Sequence, residues 1–381
     1  MSRIRALAGS TWGRVALGAV LVALAACLPL LALDIPGVLP GPTYTPGTLA
    51  VLAYALIIAA LALSYHLVFG VAGLLSFGHA MFFAAGAYGL GVLLRLLAPT
   101  GIPSEAVFLL AIVLTLVLAL VVGTLAGSLA LRVTGISFAM VTLAFAQAAN
   151  VLIRRNVGGL TGGEEGVTLL VDVVPPGLVG VVNTRSLYWL ALAILVIAYL
   201  VCVWVERSRL GHVVAAAREN ELRVTVLGIR PYRARLVVFA LAAVLAAVAG
   251  LGFMLLQSSA TPRISASDFT LTLLVIVVLG GVGYRWGAIV GGVVYTLLDQ
   301  RLSALASSPA IAGLPDVLRI PLSEPLFLLG MLFVLVVMFA PGGIVGIAHR
   351  ATRPRRRRRE DEREDGRPAV MSDMEASTHG S

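Results

Sequence analysis

Residues 105–127 read EAVFLLAIVLTLVLALVVGTLAG, and no charged residue follows Glu105 in this stretch. About 20 consecutive apolar residues in a helix are enough to cross the hydrocarbon core of a bilayer. Only a helix or a closed barrel can bond every backbone polar group in that environment. The stretch has the length of a helical span, and it predicts a transmembrane helix.

The composition extends this interpretation to the whole chain. Of its 381 residues, 59% are hydrophobic and only 12% are charged, and the mean hydropathy is +0.98. About a quarter of the residues of a soluble domain are charged. The composition therefore excludes a soluble globular protein and indicates an integral membrane protein.

Seven further stretches have similar length and character, at residues 15–33, 49–69, 72–97, 133–153, 186–205, 236–257 and 324–347. Another apolar stretch, 268–300, is interrupted by GGVGYRWG at 280–287. It predicts either two short spans or one re-entrant hairpin, and both return the chain to the same side. The expected fold is all-α and polytopic, with eight full crossings, or ten if the broken stretch counts as two.

The arginines indicate how the spans are oriented. Cytoplasmic loops collect positive charge, and an inside N-terminus places Arg132, the seven arginines of residues 206–235, Arg285 and a basic tail together. We therefore expect a multi-pass protein of the plasma membrane with both termini in the cytoplasm.

This orientation divides the chain into a cytoplasmic N-terminus at 1–14, a transmembrane domain at 15–347 and a disordered charged tail at 348–381. Such a tail cannot bury enough apolar surface to fold. We expect it to reinforce the topology, with attraction to anionic membrane lipid as the alternative. Nucleic acid is not an expected partner.

All 28 basic residues are arginine. A P-loop needs a lysine on the nucleotide phosphates, and Schiff-base chemistry needs a lysine amine. The chain is therefore not expected to be its own ATPase. We predict no catalytic residues, no metal and no cofactor. Cys27 and Cys202 lie in apolar runs and are expected to be small buried hydrophobic residues.

The polar segment at 206–235 carries the strongest functional signal. It predicts one short helix of about 15 residues, with Ser208 as N-cap and Gly228 as the C-terminal stop, followed by Pro231. A compact helix between two spans is suited to docking into a groove of a partner protein. The alternative is an interfacial helix that lies on the membrane surface.

Several blocks of the chain resemble the permeases of branched-chain amino-acid ABC importers, most closely the second of the two permease types that these importers pair. The blocks are RENE at 218–221 with LGI at 227–229, GLLSFGHAMFFAAGAY at 73–88, LTGGEEG at 160–166, VLGGVGYRWG at 278–287 and FAPGGI at 339–344. The resemblance covers about residues 50–347. It implies an ATPase-coupling role for Arg218, Glu219, Asn220, Glu221 and Gly228. The chain departs from the family at Arg223 and Val224, where small residues are usual.

Two glycine-rich segments are candidates for the translocation path. Glycines let backbones approach closely or let a helix break, and broken helices at membrane depth commonly line a transport route. The candidate path residues are Gly73, Ser76, Gly78, His79, Gly280, Gly281 and Gly283. Helix packing explains such glycines equally well. A neutral His79 bonded to a neighbouring helix is the simpler interpretation of that residue.

The predicted outer loop at 161–164 contains Thr161, Gly162, Gly163 and Glu164. It could contact a substrate-binding protein outside the membrane, and it could equally be a plain surface turn.

Three classes of function fit a chain of this kind. The resemblance implies an importer permease that works with a second permease of the same family, two ABC ATPase subunits and an extracytoplasmic binding protein. The family default substrates are leucine, isoleucine and valine; relatives move urea, short amides or other amino acids. A secondary transporter would bury carboxylates near mid-membrane, whereas the acids here fall at predicted span ends. A membrane scaffold would leave the ordered family blocks as coincidence.

Overall fold

The fold is described from a computed structural model. It covers residues 22–33, 39–180 and 183–306, together with positions 18, 20, 324, 327, 330, 331, 334 and 338 and residues 342–346. The N-terminus at 1–14, the tail at 348–381 and most of the predicted span at 324–347 lie outside the described residues.

Within the described residues, six helices are long and apolar enough to cross a membrane. They are α1 (Pro46–His66, continued by a π-helical turn Leu67–Val71), α2 (His79–Leu97), α3 (Ser104–Ala130), α4 (Ile136–Arg154), α5 (Thr184–Arg207) and, after two short helices α6 and α7, α8 (Pro231–Gln257). Each coincides with one of the predicted spans. The all-α polytopic prediction is confirmed, and six of the eight predicted full spans lie on these helices.

The short helices are α6 (Arg209–Glu219) and α7 (Glu221–Val226), which connect α5 to α8. Two short strands, β1 (Val167–Thr168) and β2 (Ser259–Ala260), pair antiparallel at the far ends of the long helices.

The predicted broken stretch forms α9 (Ser267–Gly280) and α10 (Arg285–Ala306), which are bent by 116° at the glycine-rich break. At 1.5 Å per residue, α9 is about 21 Å long, which is less than the roughly 30 Å of a bilayer core. Its first residue bonds Gln147 of α4, and Gly283 at the tip lies beside Glu206 at the end of α5. The hairpin therefore reaches from the β-strand side of the protein to the side that carries α6 and α7.

The helix α8 lies at the centre of the fold and packs against α1, α2 and α3. Glycines allow the closest approach: an added Cβ at Gly86 would strike the carbonyl oxygen of Ala247, and one at Gly250 would strike that of Phe83. Small residues at a helix crossing let backbones approach and increase dispersion contact in a membrane. The α2–α8 contact is thus fixed by glycines from both helices.

The first predicted span, 15–33, is helical at positions 18, 20 and 22–27, and a 3-10 turn follows at Leu28–Leu30. It lies against α5, where the Tyr188 hydroxyl donates to the Ala25 carbonyl at 2.7 Å. Cys202 is buried as expected, but Cys27 is exposed. The prediction for Cys27 was wrong because an apolar run does not show which face of a helix meets the protein.

Candidate functional site

The segment between α5 and α8 forms two helices, which corrects the prediction of one helix. Ser208 caps α6 as predicted, accepting a hydrogen bond from the Gly211 amide at 3.2 Å. The helix ends because Asn220 has an extended backbone (φ −155°, ψ 102°). The Asn220 side chain then caps α7 by accepting from the Arg223 amide at 3.0 Å. Asn220 therefore ends α6 with its backbone and caps α7 with its side chain.

Gly228 ends α7 as predicted. Its φ is +80°, with open space around the position where a Cβ would stand. The left-handed conformation is accessible to glycine at little cost and is typical of the residue after a helix. The Gly228 and Ile229 amides bond back to the carbonyls of Thr225 and Val224. Gly228 has a backbone role rather than a contact role.

The two short helices are fixed to the membrane domain from α8. The Arg235 guanidinium is paired with Glu221 (Nη1 to Oε2, 2.9 Å) and donates to the carbonyl of Ala217 at 3.2 Å. Val224 is the buried residue of α7. The larger side chain at this departure from the family pattern thus packs inward, and Glu221 serves the attachment of α7.

Arg218 joins the predicted coupling residues to the predicted path. Its Nη1 donates to the carbonyl of Gly70, and its stem lies over Gly73. An added Cβ at Gly73 would stand 2.6 Å from the Arg218 Cγ, and the φ of Gly73 is +67°. Gly73 is therefore needed for a close approach of α6 to the end of α1.

The segment between α1 and α2 is non-helical, so α2 begins at His79 rather than at the predicted residue 72. Its backbone groups are bonded by side chains from other helices. The Phe77 amide donates to Thr142 Oγ1 at 3.0 Å, the Ala80 amide donates to Thr270 Oγ1 at 3.1 Å, and the Ser76 carbonyl accepts from the Tyr65 hydroxyl at 3.1 Å. This network lets a broken backbone exist inside an apolar domain.

Ser76, Gly78 and His79 are buried within the chain. An added Cβ at Gly78 would stand 2.7 Å from the Thr142 carbonyl, so the glycine serves packing. His79 Nε2 lies 2.8 Å from Ser64 Oγ on the neighbouring helix, and its ring packs edge-on against Tyr65. The geometry is that of a histidine bonded to a neighbouring helix.

The three glycines of the second candidate segment lie at different places. An added Cβ at Gly280 would strike the carbonyl oxygen of Gly287 across the hairpin. An added Cβ at Gly281 would stand 2.7 Å from the carbonyl oxygen of Gly342. Gly283 instead lies at the hairpin tip.

A cavity of about 440 Å3 lies between α6 and the ends of α1 and α5. Its lining includes His66, Glu206, His212, Arg218, Glu219 and Gly283. The cavity brings predicted coupling residues and one predicted path residue together on the side of the protein that carries α6 and α7. Among the described residues, no group of three or more His, Cys, Asp or Glu side chains could hold a metal.

The loop predicted to contact a binding protein is a folded turn. The amides of Thr161 and Gly162 both donate to Asn156 Oδ1, at 2.9 and 3.0 Å. Gly163 is buried, whereas Glu164 is exposed and paired with Arg154 at 3.0 Å. Of the four predicted contact residues, Glu164 is the most accessible to a partner.

Sequence reasoning missed two features of this site. The first is an exposed apolar surface beside the buried Val224. It consists of Leu222, Val226 and Leu227, which have 75%, 78% and 77% of their surface exposed. The apolar residues on a six-residue helix were visible in the sequence, but their direction was not. Glu206 pairs with His66, 140 positions away in the chain, and no local pattern predicts such a contact.

The family model for the permease component of branched-chain amino acid transport systems matches residues 47–340. The high-affinity branched-chain amino acid transport system permease protein LivM of Escherichia coli (strain K12) is 26% identical over 333 residues, which cover 78% of this chain and 70% of that protein. LivM of Salmonella typhimurium (strain LT2) gives the same values.

The permease protein LivH of Salmonella typhimurium (strain LT2) is also similar, at 24% identity over 301 residues that cover 76% of this chain and 91% of LivH. The family match includes all six long helices, both short helices and the broken hairpin. The chain therefore belongs to the family of branched-chain amino acid transport system permease components and is a multi-pass membrane protein.

Proposed function

We propose that this chain is a permease subunit of an ABC importer that carries leucine, isoleucine and valine into the cytoplasm, driven by ATP hydrolysis in separate ATPase subunits. The observation that carries the proposal is the exposed apolar surface of Leu222, Val226 and Leu227, on α7 and the residue directly after it, which is fixed to the membrane domain. Apolar side chains on a short, firmly attached helix are suited to insertion into a groove of a partner protein.

Force from such a partner has a route into the membrane domain. The surface lies on α7, which Glu221 ties to Arg235 of α8, while α6 contacts the end of α1 through Arg218. A helix that only lay on the membrane would need its apolar side chains among lipid. It would not need a polar attachment to two different spans.

The remaining partners follow from the proposed class of transporter. A second permease of the same family completes the path, two ATPase subunits act on the coupling helices, and a binding protein delivers substrate beside Glu164. The termini, α6 and α7 then lie in the cytoplasm, which agrees with the arginines of residues 206–235.

The acids give little support to ion coupling within the described residues. Glu105 and Asp268 lie in the first turns of α3 and α9. Asp299 lies two turns before the last described residue of α10 and is partly buried, so it is further inside a helix than the sequence suggested. A secondary transporter that used Asp299 alone would work without an ATPase, and this separates the two classes experimentally.

The test is uptake of labelled leucine into proteoliposomes that contain the complete complex. We expect uptake that requires ATP, the ATPase and the binding protein, with competition by isoleucine and valine. If urea or a short amide competes and isoleucine and valine do not, the chain is a permease of the same family with a different substrate. Uptake driven by an ion gradient without ATPase would contradict the proposal.

A further inference from the structure

Glu206 stands where α5 meets the coupling helices. It is the second residue before Ser208, the N-cap of α6, so no flexible linker separates the two helices. A displacement of α6 is therefore transmitted directly to the last turn of α5, where the Glu206 carboxylate lies.

The two oxygens of this carboxylate contact different parts of the chain. Glu206 Oε1 lies 3.2 Å from His66 Nε2, and Oε2 lies 3.1 Å from Arg285 Nε. The His66 side chain is 1% exposed, and the Glu206 and Arg285 side chains are mostly buried. Contacts of this kind are partly shielded from solvent, and partly buried charged contacts are costly to leave half-made.

Each partner borders one of the two irregular segments of the membrane domain. His66 is the last residue of α1, directly before the π-helical turn and the broken segment at 72–78. Arg285 is the first residue of α10, directly after the glycine-rich break in the hairpin. One carboxylate thus ties together the end of α5, the broken segment and the hairpin.

Arg285 is itself held in place. Its guanidinium lies over the ring of Tyr199, 5.7 Å from the centroid, and the same ring packs against Trp286 at 5.5 Å. Such a cation–π contact limits the freedom of the arginine. The opposite end of α6 has a second link to the same region, from Arg218 to Gly70.

We propose that Glu206 is a positioning residue through which movement of the coupling helices reaches the hairpin and the broken segment together. This inference rests on the proposed function. In this role Glu206 binds neither ATP nor substrate itself. It couples the broken segment at 72–78 and the glycine-rich hairpin to the movement of α6.

The test uses the reconstituted complex and the variants Glu206→Gln, Arg285→Glu and the charge swap Glu206→Arg with Arg285→Glu. For Glu206→Gln we expect the ratio of substrate transported to ATP hydrolysed to fall at least about fivefold, the lower end of typical coupling between sites. ATP hydrolysis stimulated by the binding protein should persist. The swap should recover part of the ratio, and Glu105→Gln, an exposed acid at the far end of α3, serves as the matched control.

An unchanged ratio in Glu206→Gln would overturn the inference. Equal loss of transport and ATP hydrolysis, without recovery in the swap, would show a purely structural role and would also overturn it.

A spin-label measurement separates this inference from the proposed function. Labels at Ala216→Cys in α6 and Val282→Cys in the hairpin, in a Cys27→Ala background, should change their separation on ATP binding in the wild-type complex. In the Glu206→Gln complex, ATP binding should no longer produce the wild-type change in the distance between the two labels. If the wild-type complex transports nothing, the proposed function fails. If it transports substrate and the variant leaves the label response unchanged, the inference fails while the proposed function stands.

Discussion

The substitution Thr142→Val tests whether side chains from other helices hold the broken segment at 72–78. Thr142 Oγ1 accepts a hydrogen bond from the Phe77 amide at 3.0 Å. Valine keeps the shape of threonine but cannot accept this bond. Loss of the bond leaves the amide without its acceptor, and leaving a buried donor unsatisfied costs about 1–3 kcal/mol. The free energy of unfolding should fall by that amount.

The matched control is Thr115→Val. Thr115 is fully buried, and its hydroxyl donates only to the Ala111 carbonyl of its own helix at 2.7 Å. Such a bond back to the preceding turn contributes little to stability. We expect the control to change the free energy of unfolding by less than about half of the effect at Thr142.

The chain contains a probe for this measurement. Cys202 is buried, so in a Cys27→Ala background a thiol-reactive fluorescent dye reports unfolding of the membrane domain in detergent. A change of 1 kcal/mol shifts the melting temperature by about 2–4 °C in domains of roughly 150–250 residues. Thr142→Val should therefore melt several degrees lower than Thr115→Val. Equal melting temperatures would refute the assigned role of Thr142.

Further predictions concern the backbone and the helix contacts. Gly228→Ala should lower the free energy of unfolding of α7 by about 1–2 kcal/mol because the φ of Gly228 is +80°, and the assay is amide exchange, which should become faster in α7. The control Gly47→Ala, in helical backbone with open space around it, should leave amide exchange in α7 unchanged. Equal exchange rates in the two variants would contradict the argument. Gly250→Val should prevent the approach of α8 to the Phe83 carbonyl, measured as loss of monodisperse protein in detergent, and normal yield would show that the packing is different. Glu221→Gln should loosen α7 without altering the membrane domain, measured as increased protease cleavage within 220–228, and unchanged cleavage would argue against the pair with Arg235.

The spans could be predicted because length and apolar composition are sufficient evidence for a transmembrane helix. The same evidence could not place the start of α2. Residues 72–78 are as apolar as the helix that follows, and bonds from Thr142 and Tyr65 to this segment and from Thr270 to the first turn of α2 help to hold a non-helical backbone there. Those partners come from three other helices and leave no local trace in the sequence.

The coupling segment shows the same limit on a smaller scale. Ser208 and Gly228 are strong local signals, and both predicted boundaries are confirmed. Asn220 was not recognised as a break because asparagine is tolerated within helices and its capping role depends on its φ and ψ. The contacts of Glu206 and Arg218 span 140 and 148 positions. Contacts of that range depend on tertiary structure.

The central claim is that a separate ATPase drives this permease through the exposed apolar surface of α7. The most direct measurement compares ATP-dependent leucine uptake by the wild-type complex with that of the double variant Leu222→Ser, Val226→Ser. Thr225→Ala, exposed on the same helix, is the matched control. We predict that the double variant loses uptake and releases the ATPase, since serine replaces two of the three exposed apolar side chains proposed to enter the partner's groove, while Thr225→Ala keeps both. Normal uptake and normal ATPase association in the double variant would contradict the account.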